Sequence, residues 1–124
     1  MVERQAKIPG ADHPITITPS TKRIRVLWRG KVVADSSRAL ALEETTYPVV
    51  HYIPRADVDM SLLRNSAHST YCPYKGEASY FSLAAEGAVA ENAVWSYEAP
   101  YPAVAAIREH LAFYPNMVDR IEEV

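Results

Sequence analysis

The sequence predicts a mainly β domain of the α+β class, with antiparallel strands and a short C-terminal helical segment. Short runs with strand-like alternation fill residues 15–98, turn residues punctuate them, and helical material is concentrated after Tyr101. Strands followed by late helix argue against alternating βαβ units. No Rossmann glycine fingerprint and no P-loop motif occurs, which argues against those two nucleotide sites.

Residues 1–14 are expected to form a flexible arm, because Pro9, Gly10 and Pro14 break any regular element, and residues 15–124 a single globular domain. "ITIT" (15–18) alternates as a strand. "KRIRVLWRGKVVAD" (22–35) predicts a hairpin with Ile24, Val26 and Trp28 on one face and Arg29-Gly30 at the reversal. "SSRALALEE" fits helix or strand. "YPVVHYIP" (47–54) is a β-branched, tyrosine-containing strand bracketed by prolines. "DVDMSLLRNS" predicts one helical turn, capped by Asp57 or Asp59, with Met60 and Leu63 inward. "AHSTYC" and "EASYFSL" flank "PYKG" as the arms of a second hairpin, and "ENAVWSYE" (91–98) is a further strand. Pro102 suits a first helical turn, Ala103 to Leu111 predict a helix, and "NMVDRIEE" predicts a last short helix capped by Asn116.

With 124 residues, 48% of them hydrophobic, the chain can bury a core without covalent staples. Eight tyrosines against two phenylalanines suggest polar pockets as well as packing, since a buried tyrosine needs a partner for its hydroxyl. The single cysteine excludes an internal disulfide and a multi-cysteine zinc site. The N-terminal stretch has no apolar segment of signal-peptide type, and no apolar run approaches the ~20 residues of a membrane span, so a cytoplasmic protein without membrane association is expected. Residues 1–31 carry seven of the thirteen Lys/Arg side chains against Glu3 and Asp12 alone. That excess is read either as a guarded edge strand or as an anion or nucleic-acid surface; without an accompanying nucleic-acid motif, nucleic acid is the less expected partner.

The hairpin "TYCPYKGEASYF" (70–81) is the chemical centre of the sequence. If Pro73 to Gly76 form the loop, Cys72 faces Glu77 and Thr70 faces Ser79, so that His68, Thr70, Cys72, Glu77 and Ser79 share one face. Cys72 is then a candidate nucleophile, with Lys75, His68 or Arg55 lowering its pKa and Glu77 as a candidate base. The plain alternatives are a cysteine acting as a small buried apolar residue, a hydrogen-bonded histidine, and Lys75-Gly76 as turn chemistry. No pair of candidate ligands has zinc-site spacing, so no metal and no cofactor is expected.

"VVADSSRALALEE", "YPVVHYIPRADV", "CPYKGEASYFS" and "ENAVWSYEAPYPAV" resemble successive blocks of the bacterial family called domain of unknown function 427, which also carries a nucleotidyltransferase-type label. The resemblance covers about residues 13–121. It implies a compact β-tent-like fold shared with zinc-binding relatives, but this chain lacks their paired cysteines and the Gly-Ser turn that precedes nucleotidyltransferase carboxylates. The matching blocks nominate Tyr52, Arg55, Cys72, Lys75, Gly76, Glu77, Tyr80, Trp95 and Tyr97. Arg55 suits a carboxylate or phosphate, and Trp95 and Tyr97 suit an aromatic wall, or equally core packing. Three functions follow as expectations. The first is a small-molecule site, catalytic or not, using Cys72, Glu77 and His68 as catalytic groups and Tyr52, Arg55, Thr70, Lys75, Tyr80, Trp95 and Tyr97 as ligand contacts. The second is an interaction module, with edge strands open to homodimer formation. The third is nucleotide or nucleic-acid binding through residues 22–31.

Overall fold

A computed structural model describes residues 4–124; residues 1–3 of the expected arm lie outside the described residues. The described residues are mainly β and entirely antiparallel in their strand pairing, with ten strands in three sheets. The first sheet orders β1 (Ile15–Pro19), β4 (Leu40–Glu44) and β5 (Val50–Tyr52). The second orders β10 (Arg120–Glu123), β2 (Ile24–Trp28) and β3 (Lys31–Ser36). The third orders β6 (Leu63–Cys72), β7 (Gly76–Ala85), β8 (Ala88–Ser96) and β9 (Ala112–Phe113).

Alternation decides the core. Ile24, Val26 and Trp28 of β2 are all buried, as expected, while Arg25 and Leu27 between them are only half-buried. The β2–β3 reversal places Arg29 at φ 50° and Gly30 at φ 75°, the left-handed pair of a tight hairpin turn. Asp119 fastens that turn by accepting a hydrogen bond from the Gly30 amide at 2.9 Å. One apolar cluster packs Val26, Trp28, Phe81, Leu83, Val94 and Phe113 between the second and third sheets. A second gathers Leu42, Tyr52, Tyr80, Tyr97, Val104 and Ile107. Each large side chain so buried contributes about 1.5–3 kcal/mol.

The basic residues of the β2–β3 hairpin are largely neutralised. Arg23 makes a two-pronged contact with Asp35, Arg25 lies near Asp35 and Glu122, and Lys31 lies near Glu86. Three residues of the expected arm, Arg4, Lys7 and His13, contact the body. Lys7 N donates to Pro73 O at 2.8 Å, Arg4 pairs with Glu77 at 2.9 Å, and His13 stacks on Tyr74 with ring centroids 3.9 Å apart.

The expected 103–111 helix is a shorter segment, Pro102–Ile107, of 3₁₀ turns interrupted at Val104 (φ −124°, ψ 27°). Pro102 does open it. Val104 and Ile107, three apart, both face the core, the spacing that a 3₁₀ turn aligns. Leu111 then exchanges backbone hydrogen bonds with Ile53 at 2.8 Å, which pulls the chain back into extended form. The expected last helix is corrected. Asn116 lies within a single turn, Pro115–Met117, and residues 120–123 form β10, with Ile121 opposite Val26. Sheet pairing overrides the local helix signal there. The turn Met60–Leu62 is present and Asp59 caps it, accepting from Ser61 N at 3.1 Å. Asp57 instead accepts from Ser36 and Arg38.

The β6–β7 register also differs from expectation by one residue. Cys72 pairs with Gly76, Tyr71 with Glu77 and Thr70 with Ala78. Lys75 N closes the turn onto Cys72 O at 3.2 Å, and Gly76 follows at φ 105°. That is a three-residue loop plus a positive-φ residue, in place of a four-residue loop. A one-residue slip exchanges faces. The face of Thr70 and Cys72 therefore continues through Gly76, Ala78 and Tyr80, while Glu77 and Ser79 turn to the other side.

Candidate functional site

The first sheet and the β6–β7 hairpin enclose a cleft of about 210 Å³. β4 presents Leu42 and Glu44 to it by alternation, β5 presents Tyr52, and the hairpin loop presents Lys75. β7 supplies Tyr80, β8 supplies Trp95, and Tyr97 follows directly after β8. Tyr80 and Trp95 are cross-strand partners, which makes them one aromatic wall.

A charge pair lies in this cleft. Lys75 Nζ donates to Glu44 Oε1 at 2.5 Å, and the other Glu44 oxygen lies 2.7 Å from His13 Nε2. Lys75 is only 8% exposed. Burial pushes the Glu44 carboxyl up, but the hydrogen bonds from Lys75 and His13 outweigh it and hold the pKa below the ordinary carboxylate value. Glu44 is therefore ionised at neutral pH, and the Lys75 charge is answered inside the site.

The tyrosines form the polar part of the wall. Tyr80 OH lies 3.0 Å from Thr70 Oγ1 and 3.2 Å from Tyr114 OH, so its oxygen is fully engaged. Tyr52 OH accepts from Trp95 Nε1 at 3.2 Å but has no acceptor for its own proton among the described residues. Tyr97 OH has no hydrogen-bond partner among the described residues, although Tyr97 is only 6% exposed. The one sealed, partnerless side-chain oxygen or nitrogen among the described residues is Glu122 Oε1, so the partnerless Tyr97 oxygen is not sealed in packing. Burial raises the pKa of both Tyr52 and Tyr97. Burial, followed by the hydrogen bond with Tyr80, pushes Tyr114 up to about 12. All three phenols keep their protons at neutral pH, and two have a donor to give.

A second cleft of about 330 Å³ adjoins the first. The two share Tyr47, Pro48, Val50, Trp95 and Tyr114. Its remaining wall is almost wholly apolar, with Val26, Ile53, Phe113 and Ile121. His51 also lines it, and burial lowers the His51 pKa, with Glu123 opposing, so the imidazole is neutral at pH 7.

Five of the residues nominated from sequence, Tyr52, Lys75, Tyr80, Trp95 and Tyr97, line one cleft, and Thr70 touches it through Tyr80. Arg55 does not join them: it pairs with Glu98 at 2.9 Å, donates to Glu109 O at 3.1 Å and stacks over Phe81. The register correction also separates the expected catalytic groups. Glu77 is exposed on the opposite face with Arg4. His68 is exposed and sits edge-on to Tyr80 at 4.6 Å. Cys72 is half-buried against the second core cluster and lines neither cleft. Sequence reasoning missed Leu42, Glu44, Tyr47, Pro48, Val50 and Tyr114; the available signal for Glu44 was an acid continuing the inward row of Leu42 in "LALEE".

Among the described residues no group of three or more His, Cys, Asp or Glu gathers as a metal site, and no helix is long and apolar enough to cross a membrane. A family model described as "Domain of unknown function (DUF427)" matches residues 16–124. No curated protein matches the chain.

Proposed function

The chain belongs to the domain of unknown function 427 family, and from that premise we propose that it binds a small organic molecule in the cleft of Tyr52, Lys75, Tyr80, Trp95 and Tyr97. The observation that carries this reading is the pair of phenol donors, on Tyr52 and Tyr97, left without acceptors among the described residues at a largely buried site. Polar groups at a largely buried site are paired as a rule, with protein, water or ligand. A ligand oxygen, or water that a ligand displaces, meets that need. The surrounding aromatic wall supplies contact area, and a concave site with few polar groups has the make-up of a small-molecule pocket. Binding here involves no covalent bond to Cys72, which lies outside both clefts.

A thermal-shift screen of uncharged and charged small molecules on wild type and on the Tyr52→Phe/Tyr97→Phe double variant tests this. A hit is expected to raise the melting temperature of the wild type and to lose most of that effect in the double variant. Hits that stabilise both proteins equally would place binding elsewhere and refute the proposal.

A further inference from the structure

Resting on that reading of the polar cleft, we propose that the ligand is an uncharged amphipathic molecule: its carbonyl oxygen is held by the hydroxyls of Tyr52 and Tyr97, and its apolar body fills the adjoining cleft of Val50, Ile53, Phe113 and Ile121.

The charge balance selects the head group. Among the described residues Lys75 is the one Lys or Arg lining either cleft, and Glu44 already takes its charge at 2.5 Å. A carboxylate or phosphate entering this site brings a negative charge next to ionised Glu44 with no further Lys or Arg among the described lining residues to answer it. Desolvating such a charge is costly, whereas a carbonyl oxygen needs only donors. Tyr52 and Tyr97 supply two. This also argues against a nucleotide, whose phosphates require cations or a metal.

The second cleft selects the body. It opens from the first along the shared Trp95 and Tyr114 wall. Its volume of about 330 Å³ is that of a small-molecule pocket. Among the described residues that line it, His51 is the one Asp, Glu, His, Lys or Arg; burial keeps it neutral at pH 7, against Glu123 on the neighbouring β10. An apolar group placed there leaves water without surrendering hydrogen bonds.

The test compares benzylacetone, acetone and hydrocinnamate by NMR titration of the labelled full chain. Benzylacetone and hydrocinnamate share one apolar body and differ in head group; acetone carries the head alone. Benzylacetone is expected to bind at least about ten-fold more tightly than acetone and than hydrocinnamate, shifting the Trp95 indole and the Val50 and Ile121 methyl signals. Ile121→Trp, which fills the apolar cleft only, is expected to remove the gain over acetone. Where that variant does not fold, the methyl shifts in wild type locate the body. Equal binding of the two ketones, or hydrocinnamate binding as tightly as benzylacetone, overturns the inference while leaving the polar cleft as a ligand site. No benzylacetone binding at millimolar concentration overturns the inference too, and the wider ligand panel then judges the polar cleft separately. Ketone binding unchanged in Tyr52→Phe/Tyr97→Phe overturns the polar-cleft reading itself.

Discussion

Lys75 Nζ and Glu44 Oε1 meet at 2.5 Å although 31 residues separate them in the chain. The contact ties the hairpin loop to the end of β4, across two different sheets. Removing one partner of such a pair strands the other charge in a desolvated site. Lys75→Met is expected to lower stability by about 3 kcal/mol, the low end for a buried pair, because His13 still contacts Glu44. The double variant Glu44→Gln/Lys75→Met is expected to recover part of that loss. Urea unfolding of wild type, both single variants and the double measures the coupling; additive losses would show that the pair is not a unit.

His51 gives the fold a mild acid sensitivity. Burial lowers its folded pKa beneath the ordinary value of 6.5. The unfolded chain then binds the proton more readily, so the contribution is complete above pH 6.5 and is lost as pH falls through the folded pKa. The depressed carboxyls of Asp35, Glu44, Asp57 and Asp119 act at lower pH, because their ordinary values lie at 3.8 to 4.5. Stability is therefore expected to fall between about pH 7 and pH 5 chiefly through His51. His51→Leu is expected to flatten that interval and leave the lower transition in place. Urea midpoints across the range decide it; an unchanged slope in the variant would exclude His51 as the source.

The fold was legible wherever local pattern and sheet pairing agree. In β2, alternation and the Arg29-Gly30 turn name the same hairpin that forms. β10 was not legible, because nothing local distinguishes "RIEE" from a helix end; its strand state comes from pairing with β2, nearly a hundred residues earlier. The aromatic wall was legible through the family blocks, whereas Glu44 was not, since its meaning depends on a lysine 31 residues away. The polar row on the hairpin failed for a finer reason. Three-residue and four-residue loops use the same Pro and Gly residues, yet they put Glu77 on opposite faces.

Gly76 is where that choice is fixed. Its φ of 105° lies beyond the left-handed well that L-residues tolerate, whereas Gly30 at 75° lies near it. Space does not separate the two. A Cβ at Gly76 would meet Ala99 O at 3.5 Å, an ordinary contact, and one at Gly30 would meet nothing. Gly76→Ala is expected to cost about 2–3 kcal/mol and Gly30→Ala about 1 kcal/mol. Thermal unfolding of both variants checks the order; a smaller loss at Gly76 would mean that the loop relaxes to the longer form.

Arg55 and Cys72, the two sequence nominees that stand apart from the clefts, separate stability from binding. Arg55 joins Glu98, Ser96 and the Glu109 carbonyl, and thus ties the turn Arg55–Asp57 to the segment after β8. It is half-exposed, so Arg55→Ala is expected to cost only about 1 kcal/mol, mostly in lost hydrogen bonds. Cys72 packs against the second core cluster, and Cys72→Ala removes one sulfur from a half-buried position for about 1 kcal/mol. Neither variant is expected to alter the affinity of a ligand bound at Tyr52 and Tyr97, whereas Tyr97→Phe is expected to weaken it about ten-fold with little effect on stability. Parallel urea unfolding and ligand titration of the three variants make the comparison. A loss of affinity in Cys72→Ala as large as in Tyr97→Phe would return the thiol to the site.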